Sequence, residues 1–141
     1  MKITFATISK PSFSYAVKGF EIYSKRISYY HDMKVIHFKK TASDKEIITR
    51  LENTFLVALN PTGKQFSSDQ FADFLKTSGH INKEISFLIG GPEGLSEAIY
   101  NQSGLEWSLG KLTLPHDLAM IVALEAIYRA TTINLGLPYH K

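Results

Sequence analysis

The chain alternates short apolar runs with segments in which apolar residues return every three to four positions. This alternation of strand and helix patterns predicts βαβ units around a largely parallel sheet, an α/β fold. Residues 2–8 open it as a strand rich in β-branched side chains. A helix over 12–29 follows, because Phe13, Ala16, Val17, Phe20, Tyr23 and Ile27 recur on one face. A second strand is expected at 33–38, then a helix at 43–53 with Ser43 as N-cap and Glu46 as its capping-box partner. The run 54–59 is continuous and apolar enough for a strand covered on both faces. Asn60-Pro61-Thr62-Gly63 is expected to end it in a turn, and Ser67 or Ser68 to cap a helix through Phe71, Phe74 and Leu75.

The second half continues the alternation. A strand at 84–89 runs into Gly90-Gly91-Pro92-Glu93-Gly94, followed by a short helix at 95–101, a weaker strand at 105–109 and a last helix at 115–134. Pro115 suits the first helical turn, where its missing N–H costs nothing, and Gly136 is a natural stop. The tail 137–141 is expected to be ordered or held by a partner. Between Leu118 and Tyr128 the last helix is apolar on nearly every face, so it must be covered all round. One small sheet covers one side only, which points to a two-fold homodimer through this helix; a helix internal to an unusually well wrapped monomer is the alternative.

Composition narrows the class. With 141 residues, 44% of them hydrophobic, the chain suits one domain spanning 1–141 with an ordinary apolar core. It has no cysteine, which excludes disulfides and thiolate metal sites. The opening run lacks the long apolar region and cleavage site of a signal peptide. The apolar stretch 118–128 falls short of the ~20 residues of a membrane span. A cytoplasmic protein with no membrane contact is expected. The formal charge of +3 is unevenly spread: residues 1–40 hold eight Lys and Arg against Glu21 and Asp32, a net of +6, leaving −3 for the rest. A basic first third is either a footprint for phosphates or a solvated helix face with a chance excess.

Among motifs, the glycine-rich loop after the fourth strand leaves room for a ligand to approach backbone N–H groups. It matches neither GxGxxG nor GxxxxGK[ST], so it carries no dinucleotide or P-loop signature. His31 and His37 have no partner at metal-ligand spacing and His80 sits in a predicted turn, so no metal site is expected. Gly94-Leu95-Ser96-Glu97-Ala98 lacks the final glycine of a nucleophile elbow. His116 is a pocket candidate, because it begins the last helix where strand ends converge.

Taken in order, the motifs are specific. Phe55-Leu56-Val57-Ala58-Leu59 is followed by Phe87-Leu88-Ile89-Gly90-Gly91-Pro92-Glu93-Gly94-Leu95, then by Trp107-Ser108-Leu109-Gly110-Lys111-Leu112-Thr113-Leu114-Pro115-His116. Leu124-Glu125-Ala126-Ile127-Tyr128-Arg129-Ala130 and the ending Pro138-Tyr139-His140-Lys141 complete the series. Over nearly its whole length the chain resembles the RlmH family of ribosomal RNA methyltransferases, in the SPOUT superfamily. The resemblance implies a mostly parallel sheet flanked by helices, with a C-terminal trefoil knot that forms the pocket for S-adenosylmethionine. It implies cofactor contacts at Leu59, Gly90 and Gly91, and at Leu109, Gly110, Lys111, Leu112, Thr113, Leu114 and Pro115.

The reaction implied is methylation of N3 of a pseudouridine in helix 69 of 23S rRNA, on assembled 70S ribosomes, by a homodimer. Tyr139 and His140 are then assigned to placing the base or assisting proton loss, Arg129 and Lys141 to RNA or interface contacts, and His116 to pocket support near the RNA. The chain departs from the family pattern in Asn60, where Asp is usual, in Met120, where a basic residue is common, and in a shorter segment between Phe38 and Thr54. Two other readings are a knotted RNA-binding protein that has lost activity and a flavodoxin-like small-molecule enzyme. The second leaves the Leu-Pro-His loop and the Pro-Tyr-His-Lys tail unexplained.

Overall fold

The computed structural model describes residues 1–141 and contains five strands and five helices. The order is β1 (Lys2–Ile8), α1 (Ser14–Ser28), β2 (Asp32–Phe38), α2 (Asp44–Leu51), β3 (Phe55–Lys64), α3 (Ser68–Ile81), β4 (Glu84–Ile89), α4 (Glu97–Gln102), β5 (Leu105–Trp107) and α5 (His116–Leu135). All strand pairings are parallel, in the order β2-β1-β4-β3-β5. The expected α/β architecture is therefore present, and β1 and β4 begin and end where the sequence pattern placed them.

Successive residues of the central strands face opposite ways, which gives the sheet two cores. Phe5, Phe87 and Val57 point to the face covered by α1, α5 and α3, where they meet Phe20, Phe71, Met120, Leu124 and Ile127. Ala6, Leu88 and Leu56 point to the other face, against Ile47 and Leu51 of α2 and Ile99 of α4. The lone tryptophan, Trp107 at the end of β5, stacks on Phe71 with ring centroids 4.3 Å apart.

Several boundaries differ from expectation: β5 ends at Trp107 and not at residue 109, and α3 runs on to Ile81, so His80 is helical and not in a turn. Strand β3 runs on to Lys64, because Leu59 and Lys64 both pair with Trp107 and the residues between them bulge out. The turn chemistry of that stretch is real: Asn60 Oδ1 accepts hydrogen bonds from Thr62 N and Thr62 Oγ1, each at 3.0 Å, before pairing resumes. Pro115 is the N-cap of α5, with ψ 152°, and not a member of its first turn. Ser67, not Ser68, caps α3 in a complete capping box with Gln70, whereas Ser43 accepts from Glu46 N at 3.1 Å without a return bond.

Helix α5 was expected to need cover on every side. It lies between α1 and α3, which close its flanks, while Met120, Ala123, Leu124, Ile127 and Ala130 face the sheet. At 20 residues and a mean hydropathy of 1.3 it is long and apolar enough to cross a membrane. That rests on length and composition alone; the strongly apolar stretch 118–128 is shorter, and the sheet-facing side of α5 is buried in the chain's own core. Its N-terminal end is tied to the start of α1: the buried Asp117 carboxylate accepts from Ser12 N at 2.9 Å and Phe13 N at 2.8 Å. Phe13, the N-cap of α1, has no side-chain cap of its own, so a residue 104 positions later supplies it. The other end of α5 closes at Gly136, in the left-handed region at φ 69°.

Candidate active site

In a parallel sheet the carboxyl ends of the strands are open, and loops gathered there enclose ligands. In this chain three such loops converge: the bulge after β3, the glycine turn after β4 and the segment between β5 and α5. Together they enclose a cavity of about 370 Å³, within the usual range for small-molecule sites of roughly 300–1,000 Å³. Its wall is largely apolar, with Leu59, Ile89, Leu95, Leu109, Leu114 and Trp107.

Of the residues expected to contact a cofactor, Leu59, Gly90, Gly91, Leu109, Gly110, Leu112, Thr113 and Leu114 line this cavity, and so does His116. Lys111 and Pro115 belong to the same loop but are not part of its wall. Gly90 cannot carry a side chain here, since a Cβ would lie 2.7 Å from Gly94 C and 2.8 Å from Gly94 O. The close turn between Gly90 and Gly94 thus depends on the missing Cβ. Ser108 clips the third loop to the first: its Oγ lies 3.1 Å from Pro61 O and 3.0 Å from Gly110 O, and accepts from Gly110 N at 3.2 Å.

Several wall residues were not singled out from the sequence. Tyr100 reaches the cavity from α4 and donates its hydroxyl to Leu59 O at 3.2 Å; burial, with the Glu106 carboxylate, pushes its pKa up. The available signal was Ser96, which caps α4 and so places Tyr100 on the first turn behind the glycine loop. Asn60 also lines the wall and donates from Nδ2 to Glu106 Oε1 at 2.7 Å. An Asp at this position would set two carboxylates against each other, so Asn60 suits the Glu106 of this chain.

The expected catalytic and RNA-contacting residues of the tail lie elsewhere. Tyr139, His140, Lys141 and Arg129 do not line the cavity. Arg129 is 13 residues after His116 on α5, about 20 Å along the axis at 1.5 Å per residue. Three of the four form one cluster. Glu125 Oε1 accepts from Arg129 Nε at 2.8 Å and from the Tyr139 hydroxyl at 3.2 Å, and the guanidinium stands 4.8 Å over the Tyr139 ring. Burial, a hydrogen bond with Tyr23 and the Glu125 carboxylate push the Tyr139 pKa to about 12. Its hydroxyl therefore keeps its proton at neutral pH and can donate but not abstract. Arg129 Nη1 donates to His140 Nδ1 at 3.1 Å, so the proton of a neutral His140 ring is on Nε2, 3.8 Å from Asp69 Oδ1. Lys141 is exposed.

Comparison with known proteins identifies the family of the chain. A family model described as "Predicted SPOUT methyltransferase" matches residues 1–140. The chain belongs to the SPOUT methyltransferase family. It is 42% identical to the ribosomal RNA large subunit methyltransferase H of Deinococcus radiodurans, with all of this chain and 99% of the relative covered. The protein of the same name from Acinetobacter baylyi is 34% identical over equivalent shares. Among solved structures, the fold is similar to the SpoU methyltransferase AviRb of Streptomyces viridochromogenes, crystallised with its cofactor AdoMet. The TM-score is 0.53 at 17% identity, covering 93% of this chain and 57% of that one. A hypothetical protein of known crystal structure gives a TM-score of 0.60 at 14% identity, covering 95% of this chain and 88% of the other.

SPOUT methyltransferases use S-adenosylmethionine, and the cavity fits it on its own evidence. Both ring nitrogens of His116 are buried without a hydrogen-bond partner while the side chain lines the wall. Such orphaned donors and acceptors cost about 1–3 kcal/mol each and mark a place where a ligand atom completes the bonding. The aliphatic wall suits an adenine ring. The Glu93 carboxylate, also in the lining, suits the positive ammonium and sulfonium of the cofactor.

Proposed function

We propose that this chain methylates ribosomal RNA of the large subunit with S-adenosylmethionine, at N3 of a pseudouridine in helix 69 of 23S rRNA, on assembled 70S ribosomes in the cytoplasm. The observation that carries the reading is the cavity built from all three loops that the RlmH resemblance assigns to the cofactor. Full-length similarity to proteins named for large-subunit rRNA methylation supports the choice of substrate. When bound, S-adenosylmethionine supplies an already activated methyl group for in-line displacement, so the chain has to orient the two reactants, keep water out and allow the imino proton to leave.

His116 and the backbone of the β5–α5 loop orient the cofactor, and the aliphatic wall excludes water. Because Tyr139 holds its own proton, the acceptor is His140 Nδ1, which becomes free to take the imino proton when the incoming RNA draws the Arg129 guanidinium away from it. The role of Tyr139 is then to place the base through its hydroxyl. A separation of about 20 Å between tail and cavity within one chain favours a two-fold dimer through α5, with the tail of one copy over the cavity of the other. The outward stripe Leu118, Val122, Glu125 and Arg129, beside exposed Phe13 and Val17 of α1, is the surface offered to the second copy. The knotted path belongs to the same reading, and the hydrogen bonds from Ser108 to Lys64 O and Pro61 O, at 2.9 and 3.1 Å, are the kind of tie that would hold it.

The test is incubation of purified protein with methyl-labelled S-adenosylmethionine and unmethylated 70S ribosomes, with free 23S rRNA as control. Label confined to one helix 69 pseudouridine in ribosomes is the expected result. Cofactor binding without label there moves the target elsewhere. Absence of both leaves the reading as an RNA-binding protein without activity.

A further inference from the structure

Edge strand β2 and helix α2 enclose a second groove on the sheet face opposite α5, and its wall is basic: Lys39, Lys45 and Arg50 against one acid, Glu46. We propose that this groove docks the backbone phosphates of the RNA strand whose base enters the cavity, an assignment that rests on the rRNA reading above.

Three observations carry it. First, Lys39, Lys45 and Arg50 are exposed and have no acid within 4.0 Å; the one Lys or Arg ion pair in the chain is Arg129 with Glu125. Charges kept together without partners on one surface suit a polyanion better than they suit the stability of the chain. Second, the groove and the cavity share the carboxyl edge of the sheet. Phe38 ends β2, Lys39 follows it, and only β1 stands between β2 and β4, so the two sites are about 10 Å apart at 4.8 Å per strand.

Third, the chain leaving β1 is fixed in that interval by an uncommon conformation. Ser9 has φ 81°, its N–H donates to Phe38 O at 2.8 Å, and its carbonyl accepts from the Thr7 hydroxyl at 2.7 Å. A non-glycine residue is held there only when its surroundings demand it, and it delivers Lys10 beside His37.

The test compares Lys39→Gln/Lys45→Gln/Arg50→Gln with a control that removes equal charge at the opposite edge, Lys2→Gln/Lys76→Gln/Lys83→Gln. The probe is a fluorescein-labelled single-stranded RNA oligonucleotide, read by anisotropy over a salt series. S-adenosylmethionine binding to each protein serves as the check on folding. The groove variant should bind the RNA about tenfold more weakly, with the log–log salt slope reduced by about 2, because each single-strand phosphate contact contributes about 0.7. The control should match wild type, and Lys39→Arg/Lys45→Arg should retain wild-type binding. In the ribosome assay the groove variant should raise KM and leave kcat unchanged. Equal RNA binding and salt slope in wild type and groove variant overturn the proposal, as does an equal loss in the control. A wild type that binds RNA through the groove but methylates no rRNA would refute the functional reading and leave the groove standing.

Discussion

Replacing Gly90 with Ala tests whether the glycine loop is a fitted part of the cavity or a passive turn. The added Cβ would stand 2.7 Å from Gly94 C, 2.8 Å from Gly94 O and 3.0 Å from Leu95 Cδ2. Two of these neighbours are backbone atoms of the same tight turn, so the strain cannot be relieved by a rotamer change. Overpacking of this kind costs about 1–3 kcal/mol. At about 2.1 cal/mol/K per residue, unfolding this chain carries an entropy of about 0.3 kcal/mol/K, so the melting temperature should fall by about 3–10 °C. The neighbouring Gly91 provides the contrast, since its Cβ would meet nothing nearer than Ile8 O at 3.9 Å. Gly91→Ala should hold its melting temperature or gain slightly, through the lower entropy of the unfolded chain. Trp107, which lines the same cavity and is the one tryptophan, reports both unfolding and S-adenosylmethionine binding by fluorescence. Gly90→Ala should weaken that binding by about tenfold or more if the strain moves the loop by the equivalent of 1.4 kcal/mol. Equal melting temperatures for Gly90→Ala and wild type, or an equal drop for Gly91→Ala, would refute the reasoning.

Other substitutions probe different parts of the molecule. His116→Ala removes two buried, unpartnered nitrogens, so it should leave thermal stability unchanged or raised while cofactor affinity falls in titration calorimetry. His140→Ala should reduce methylation more than cofactor affinity, and wild-type turnover would remove it from the catalytic residues. Asp117→Ala strands the N–H groups of Ser12 and Phe13 and should cost about 2–3 kcal/mol in denaturant unfolding. Burial, with the nearby N-terminal ammonium, lowers the pKa of His31 from 6.5 to about 4. The unfolded chain therefore binds a proton that the folded chain refuses in that interval, and stability should fall as pH drops from about 6.5 towards 4. His31→Gln should flatten that part of the melting-temperature profile, and an unchanged slope would count against it.

Elements whose burial follows from local periodicity were legible in the sequence. The strands β1 and β4 end as expected because both are central, and continuous apolar runs bounded by polar residues leave them no other extent. Strand β3 was cut short because Asn60-Pro61-Thr62-Gly63 has the chemistry of a turn, and nothing local reveals that Lys64 pairs again with Trp107. Most of the cavity wall was reached through the RlmH resemblance, whose motifs fall on these loops; periodicity and composition alone marked out only the glycine turn and His116. The position of the tail was not legible, since adjacency between Tyr139, His140 and Arg129 is set by α5 and its Glu125, and spacing along the chain says nothing of its distance from Gly90. Lys111 and Pro115 fell outside the wall for a related reason: a loop that lines a cavity alternates between residues that face it and residues that face away.

The place of α5 between α1 and α3 has a consequence for how the chain acquires its shape during synthesis. The helix that fills the middle of one face is the last to be made, and it also brings the carboxylate that closes the first turn of the first helix. Until it emerges, the nascent chain presents a trough over Phe5, Val57 and Phe87 with its floor bare, and α1 lacks its cap. Folding therefore cannot proceed outward from the N-terminus in completed layers. A ribosome stalled before residue 117 would hold an apolar surface with no internal cover, the kind of surface for which chaperones and premature aggregation compete.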